Sequence, residues 1–248
     1  MLYRFIQNVG TYFLLMVRVF KRPEKRREYA KSFWREIMEL GVDSLGIVAI
    51  ISIFVGAVVT IQTALNIEDP LIPDYYIAIA TRESIVLEFS PTIVSLILAG
   101  KVGSNIASTI GTMRVTEQID ALDVMGINSA SYLILPKIIA CVLFNPVLII
   151  FSIFLGLFGG YIAGDLAGMI SHHDFTMGLQ MSFDQFYIVY ALTKTVVFAF
   201  LITSISAFYG YYVKGGALDV GRASTLAVVN SSIALIISNY LLTEIMLS

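Results

Sequence analysis

The sequence has little charge, one cysteine and two histidines, and each shortage argues against a class of protein. Only 14% of its 248 residues are Asp, Glu, Lys or Arg, whereas 57% are hydrophobic. This composition argues against a water-soluble domain and is typical of an integral membrane protein. The single cysteine, Cys141, excludes a disulfide framework within the chain. His172 and His173 are adjacent and point to different faces of a helix or strand, so no metal site is predicted.

The chain also lacks the motifs of nucleotide-binding and hydrolytic enzymes. Neither Gly100-Lys101 nor Lys214-Gly215 completes the phosphate-binding pattern G-x-x-x-x-G-K-[ST], so ATP binding by that loop is not expected. The polar stretch 104–109 has no histidine nearby to activate a nucleophile. We therefore expect no catalytic residue and no cofactor bound by this chain.

Long apolar runs divide the chain into about five membrane spans. Each run exceeds the roughly 20 residues that cross a hydrocarbon core, and they lie at 44–65, 77–110, 128–160, 186–211 and 222–246. Residues 1–40 mix aromatic and aliphatic side chains with basic ones, which predicts interfacial helices. A short surface helix is also expected just before the second span. The fold class is therefore an all-α integral membrane protein with a single domain, 1–248.

The distribution of basic residues predicts the orientation. Nine of the sixteen Lys and Arg residues precede Asp43, and Arg114 and Lys137 flank the segment between the second and third spans. The loop 66–74 has neither Lys nor Arg. The positive-inside rule then places the N-terminus in the cytoplasm and, after five spans, the C-terminus outside. The basic run 21–35 is expected to contact anionic headgroups rather than nucleic acid.

An island of charge lies between the second and third spans. Acidic residues recur every three positions at Glu117, Asp120 and Asp123, and apolar residues recur on another face, which predicts an amphipathic helix over 115–126. Thr116 is the expected N-cap and Gly126 the expected stop. A helix lying on lipid usually carries Lys or Arg on its polar face, so these acids favour docking of a cytoplasmic partner. The candidate coupling residues are Glu117, Gln118, Asp120, Ala121, Leu122 and Met125.

Small residues recur every fourth position in two segments, which predicts close helix packing in lipid. The first set consists of Gly103, Ala107 and Gly111. The second set consists of Gly156, Gly160, Gly164 and Gly168. The spacing leaves open whether these faces meet within one chain or across a dimer.

Two ionisable residues lie within the apolar runs, Glu88 on the second span and Lys194 on the fourth. Each is costly in hydrocarbon unless it is paired or hydrated. One interpretation is a structural ion pair. The other is a lipid-headgroup site in which Lys194 meets a phosphate and Glu88 either meets an amine or orients the lipid; the two interpretations are compatible. Arg222 is a third candidate for lipid binding, and an anchor at the start of the last span is an equally good interpretation of it.

Four ordered motifs resemble the signature of MlaE-type permeases. They are AGKVGS at 99–104, GTMRVTEQIDAL at 111–122, Met125-Gly126 and LPKIIA at 135–140. The sequence departs from the family pattern at 87–91, where LEFSP stands for Arg-Glu-Leu-Gly-Pro, and at 100–103, where GKVG stands for Gly-Arg-Ala-Gly. Glu88, Lys194 and Arg222 occupy positions that match the family pattern.

MlaE-type permeases are the membrane subunits of bacterial ABC lipid transporters that work with MCE-domain proteins. The resemblance implies a homodimer in the inner membrane, ATPase subunits on the cytoplasmic face and a periplasmic MCE-domain oligomer. The substrate would be a phospholipid or related lipid, and ATP would be hydrolysed by the partner rather than by this chain.

Two other functions remain as alternatives. An ion-coupled secondary transporter would need ion ligands near the membrane midplane and usually repeated halves. The five spans and the lack of an internal repeat argue against it. A membrane anchor without a substrate path would not need Glu88 and Lys194 in its spans.

Overall fold

Every regular element of the computed structural model, which describes residues 2–21, 26–67 and 72–247, is a helix. No strand occurs within these residues, so the predicted all-α class is confirmed. Five of the helical segments are long and apolar enough to cross a membrane: Tyr29–Asn66, Tyr75–Val115, Ser129–Leu166, Phe186–Tyr211 and Ala217–Leu247. The predicted number of spans is therefore confirmed.

The N-terminal region consists of α1 (Leu2–Val19) and α2 (Arg26–Glu36). In α1, Leu15 and Val19 are fully buried, whereas Phe13 and Leu14 are more than 60% exposed. A helix with apolar residues on both sides suits the protein–lipid boundary. Through a π-helical turn and a 3₁₀ turn, α2 leads into α3 (Leu45–Asn66), so the first long helix begins well before the predicted residue 44. Residues 68–71 of the predicted loop lie outside the described residues.

The second span is one continuous helix from Tyr75 to Val115. It contains α4 (Tyr75–Ser84), a π-helical stretch at Ile85–Ile93, α5 (Val94–Leu98), a second π-helical stretch at Ala99–Gly103 and α6 (Ser104–Val115). The prediction of a separate surface helix before the second span is wrong. Residues 75–90 contain no Gly or Pro that would break the helix, so it continues without interruption into the span. The first π-helical stretch accommodates Pro91.

The charged island forms a short helix, α7 (Gln118–Val124). The prediction that Thr116 caps this helix is wrong. Thr116 lies at the end of α6, and Glu117 follows in a left-handed conformation at φ 60° that separates the two helices. The stop at Gly126 is confirmed, since Gly126 has φ 77° and donates its N–H to the carbonyl of Asp123. The N–H of Ile127 also reaches the carbonyl of Leu122, which completes a Schellman motif.

Four helices complete the chain: α8 (Ser129–Leu166), α9 (His172–Gln180), α10 (Phe186–Tyr211) and α11 (Ala217–Leu247). The third span therefore extends beyond the predicted residue 160, and the fifth begins before residue 222. The Ser171 side chain caps α9 by accepting a hydrogen bond from the N–H of Asp174.

The helices contribute segments to two compact units. The first unit comprises Met1–Asp43, Leu96–Phe144 and Val197–Leu241. The second comprises Ser44–Ser95, Asn145–Val196 and Leu242–Ser248. Thus α7 belongs to the first unit, whereas Glu88 and Lys194 belong to the second. Within the second unit α9 packs on α4 around Phe175, Ile77 and Ala78, all of them buried.

Candidate functional site

The second unit brings Glu88 and Lys194 together in an ion pair. The Nζ atom of Lys194 lies 2.7 Å from Oε1 of Glu88 and 2.7 Å from the hydroxyl of Tyr190. It also lies 3.3 Å from the Thr243 hydroxyl and 3.3 Å from the carbonyl oxygen of Leu87. These oxygens satisfy the three N–H donors of an ammonium group. Lys194 is fully buried, so its charge is neutralised within the protein.

Glu88 has a different environment from its partner. Its side chain is 42% exposed, whereas that of Lys194 is 0% exposed. Its second oxygen, Oε2, accepts a hydrogen bond from the Thr92 hydroxyl at 3.2 Å. In this conformation the Glu88 side chain reaches the surface and the Lys194 side chain does not. A phosphate could therefore meet Lys194 only after the ion pair had opened.

Local sequence accounts for this arrangement. Glu88 follows Leu87 directly, so Lys194 can reach both the carboxylate of Glu88 and the carbonyl of Leu87. Tyr190 precedes Lys194 by one turn on α10, and its ring centroid lies 4.5 Å from Nζ. Thr92 follows Glu88 by one turn. Sequence analysis missed these partners, although the spacing of four residues was a visible signal for Tyr190 and Thr92.

In the first unit, α7 combines exposed acidic and apolar side chains. Val124 is 88% exposed and Met125 is 65% exposed, next to exposed acids. Ile119 is fully buried and anchors the helix. Asp120 accepts a hydrogen bond from Arg114 at 2.7 Å, which fixes α7 to the end of α6. Among the remaining candidate coupling residues, Leu122 is half-buried and the others are exposed: Glu117, Gln118 and Ala121.

Arg222 also lies in the first unit, so the predicted substrate set is divided between the two units. Its side chain is 79% exposed and lies 3.6 Å from Asp219. It lines a cleft of about 380 Å³ together with Lys214 and the aromatic residues Tyr209 and Tyr212. Aromatic and basic side chains are typical of a membrane–water boundary.

The glycines on α8 face α3 within the second unit. A Cβ added at Gly160 would collide with the Thr60 hydroxyl, and one at Gly156 would lie 3.3 Å from Ile85. One at Gly164 would lie 2.6 Å from Ile170, just beyond the end of α8. The prediction that Gly168 shares this face is wrong. Gly168 follows the end of α8, has φ 64°, and has open space around it.

Two further glycines bring α3 and α8 together, Gly56 and Gly159, and sequence analysis missed both. A Cβ at Gly56 would collide with the carbonyl oxygen of Gly156, and one at Gly159 with that of Ile53. The two backbones are therefore too close for any side chain at these points.

The other small-residue set faces α10 and α11 within the first unit. A Cβ at Gly103 would lie 2.8 Å from the Ser206 hydroxyl, and one at Gly111 would lie 3.2 Å from Val220. Ala107 is approached by Gly210, where a Cβ would lie 3.1 Å from the Cα of Ala107. These neighbours belong to the same chain.

Comparison with known proteins identifies the family. The family model described as Permease MlaE matches residues 33–245. The chain belongs to the MlaE permease family. A probable ABC transporter permease protein of Rickettsia prowazekii is 36% identical over 242 residues, covering 98% of this chain and 93% of that protein. One from Synechocystis sp. is 35% identical over 246 residues, covering 97% and 91%.

A plant relative also matches this MlaE-family chain. The chloroplastic protein TRIGALACTOSYLDIACYLGLYCEROL 1 of Arabidopsis thaliana is 33% identical over 223 residues, covering 86% of this chain and 62% of that protein. Family membership makes the chain an ABC transporter permease, a multi-pass membrane protein that implies an ATPase partner.

This MlaE-family permease has two buried cations that sequence analysis did not single out as paired or functional. Lys137 was predicted only as a basic residue flanking the charged island. In the first unit its Nζ atom lies 2.6 Å from Oε2 of Glu36, and the two side chains are 7% and 5% exposed. In the second unit Arg82 is 3% exposed and donates to backbone carbonyls. No regular spacing in the sequence marks either partnership, because the partners are about 100 residues apart.

Proposed function

We propose that this permease moves a phospholipid or related lipid, and that the half-exposed carboxylate of Glu88 contacts the lipid headgroup. The observation that carries the proposal is the asymmetric ion pair in the membrane-spanning part of the second unit. A structural pair would be expected to bury both side chains, whereas here a fully buried lysine is paired with a glutamate whose side chain is partly exposed.

The geometry changes the roles that the sequence suggested for the two charges. Oε1 of Glu88 is occupied by Lys194, Tyr190 and, at 3.4 Å, Thr243. Thr92 contacts Oε2 at 3.2 Å, and a headgroup donor would replace its hydroxyl there. This carboxylate suits an amine or hydroxyl donor of a headgroup. Lys194 balances its charge and fixes its position.

A lipid substrate is supported by the name of the plant relative, which refers to a galactosylated diacylglycerol. It is also supported by the location of the charge pair. A carboxylate within a span is unfavourable against hydrocarbon unless it meets a polar partner, and a lipid headgroup supplies that partner while its acyl chains remain in the apolar surroundings.

The proposed coupling element is α7. Its buried Ile119 anchors a helix whose exposed side presents Val124 and Met125 beside three acids. An exposed apolar pair within a charged rim suits a protein interface. We assign this surface to the ATPase subunit, which binds and hydrolyses the ATP, so the permease itself is not an enzyme.

The complete transporter that we propose is a homodimer of this chain in the bacterial inner membrane. Its N-terminus and α7 face the cytoplasm, and its C-terminus and an MCE-domain oligomer lie on the periplasmic side. The α11 helix is the least enclosed of the five long helices and exposes Ile233, Ile236 and Tyr240. Such a face supports pairing with a second copy.

The experiment is lipid recovery with the purified permease–ATPase complex. We expect Glu88→Gln to lower the amount of bound radiolabelled phosphatidylethanolamine, because the neutral amide loses its attraction for the ammonium of the headgroup. The matched control is Thr193→Ala: Thr193 is exposed, adjoins Lys194 and donates only to the carbonyl of Val189 among the described residues. Equal lipid recovery for Glu88→Gln, Thr193→Ala and the parent would contradict the proposal.

A further inference from the structure

The second unit contains a clamp around Arg82 that the proposed lipid site does not itself use. Arg82 lies on α4, six residues before Glu88. Its Nη1 atom lies 2.8 Å from the carbonyl oxygens of Leu179 and Met181 and 3.2 Å from that of Gly178. Its Nη2 atom donates to the carbonyl of Ser182 at 3.4 Å. The guanidinium thus binds the C-terminal end of α9, where helix carbonyls lack partners and the helix dipole favours a cation.

Packing makes this clamp rigid. A Cβ at Gly178 would collide with the carbonyl oxygen of Tyr75 and would lie 2.7 Å from Ala78, so α9 lies directly against the backbone of α4. Phe175 is 1% exposed and packs in the same place. The ring of Phe183 lies 5.4 Å from the guanidinium carbon of Arg82. Arg82 therefore holds both the end of α9 and the turn that follows it.

The turn held by Arg82 contains a strained residue. Ser182 has φ 51°, in the left-handed region that disfavours residues with a side chain. Its side chain is exposed and supplies no burial that would compensate for this conformation. Arg82 donates hydrogen bonds to the carbonyls of Met181 and Ser182, and these bonds hold the turn in this shape.

The same turn determines where α10 begins. Asp184 accepts a hydrogen bond from the N–H of Phe186 at 2.9 Å, so α10 starts four residues after Ser182. Tyr190 and Lys194 follow within its first three turns, and both are fully buried against Glu88. Arg82 and Glu88 lie on the same long helix, Tyr75–Val115. Ser182 lies in the turn before α10, and Lys194 lies on α10.

We propose that Arg82 is a positioning residue for the Glu88–Lys194 pair, acting through the left-handed turn at Ser182. The expected effect of Arg82 on lipid binding rests on the proposed function, in which Glu88 contacts the lipid headgroup. Arg82 itself is buried and does not contact the lipid. It fixes the start of α10, and so keeps Lys194 and Tyr190 in register with Glu88.

The experiment compares two substitutions at Ser182 in the full permease–ATPase complex. Glycine adopts the left-handed region without penalty, whereas a β-branched residue is strongly disfavoured there. We expect Ser182→Val to lower bound radiolabelled phosphatidylethanolamine about fivefold, the order set by the cost of that backbone region, and Ser182→Gly to leave it at the parent level. Because Ser182 is exposed, neither change removes a core contact. Equal binding by the two variants would overturn the inference.

Rescue provides the second arm. Arg82→Ala should lower lipid binding at least as much as Ser182→Val, and adding Ser182→Gly to Arg82→Ala should restore most of the binding. If Arg82→Ala lowered lipid binding by a route other than the turn at Ser182, glycine at position 182 would not restore the binding. Failure of the rescue, or parent-level binding by Arg82→Ala, would contradict the role assigned to Arg82.

A third readout does not depend on lipid. Arg82 and Lys194 share no hydrogen bond or ion pair in the described structure, so independent changes should add in their effects on Tm. If Arg82 positions Lys194, Lys194→Met should lower Tm clearly less in the Arg82→Ala background than in the parent. Full additivity would overturn the inference. Unchanged lipid binding in Glu88→Gln would instead contradict the proposed function, and the Tm comparison would still test the role of Arg82.

Discussion

Replacement of Gly56 by alanine should destabilise the protein, because α3 and α8 have no space for a methyl group at this point. The added Cβ would lie against the carbonyl oxygen, carbonyl carbon and Cα of Gly156, all of them backbone atoms that cannot rotate away. The helices must therefore separate. Overpacking of a close interface costs about 1–3 kcal/mol, and separation also removes contacts along the rest of the α3–α8 interface.

The matched control is Gly46→Ala, on the same helix. A Cβ at Gly46 has no neighbour within 4 Å, so this change should leave stability at the parent level or raise it slightly. Thermal unfolding of the detergent-purified protein provides the measurement. For a chain of this size, about 1 kcal/mol corresponds to roughly 2–4 °C in Tm, so Gly56→Ala should lower Tm by several degrees relative to Gly46→Ala. Equal Tm values would refute the packing described for α3 and α8.

Two further perturbations test the ATPase-docking surface and the buried ion pair of the first unit. Glu117→Lys combined with Asp120→Lys should release the ATPase subunit on co-purification, whereas Glu244→Lys, at another exposed acid, should not. The loss of the Asp120–Arg114 pair should lower the Tm of the permease only slightly, because an exposed ion pair contributes about 0–1 kcal/mol; retention of the ATPase by the double variant would refute the docking assignment. Lys137→Met should cost about 3–5 kcal/mol by leaving the Glu36 carboxylate buried without its cation, and adding Glu36→Gln should recover part of the lost Tm; a Tm unchanged by Lys137→Met would contradict the buried pair.

The helices could be predicted from the sequence because long apolar runs have few alternatives in a membrane. The residues of α10 coincide with the predicted 186–211, and the stop at Gly126 follows from the freedom of glycine at positive φ. The boundaries of the first and second long helices were less accurate. Hydropathy marks the apolar section of a helix, whereas the helices themselves continue through polar residues at both ends.

Long-range partners could not be predicted, because no local pattern specifies them. Glu88 and Lys194 stood out by their charge in apolar runs, but the burial of one and the exposure of the other depend on Tyr190 and Thr243, which lie on different helices. Arg82 did not stand out because α4 is only moderately apolar around it. Its role depends on the carbonyls at the end of α9, and backbone acceptors leave no signature in a sequence.

The central claim is that Glu88 meets the lipid while Lys194 holds it in place, and exchanging the two charges tests this most directly. Lipid recovered with the purified complex is compared for Glu88→Ala, Lys194→Ala and the combined Glu88→Lys and Lys194→Glu variant. Our account predicts that the exchange regains Tm relative to the single variants, because opposite charges again face each other, yet binds little phosphatidylethanolamine, because a cation now occupies the exposed position. Parent-level lipid recovery in all three variants would contradict the account and leave the two residues as a structural pair.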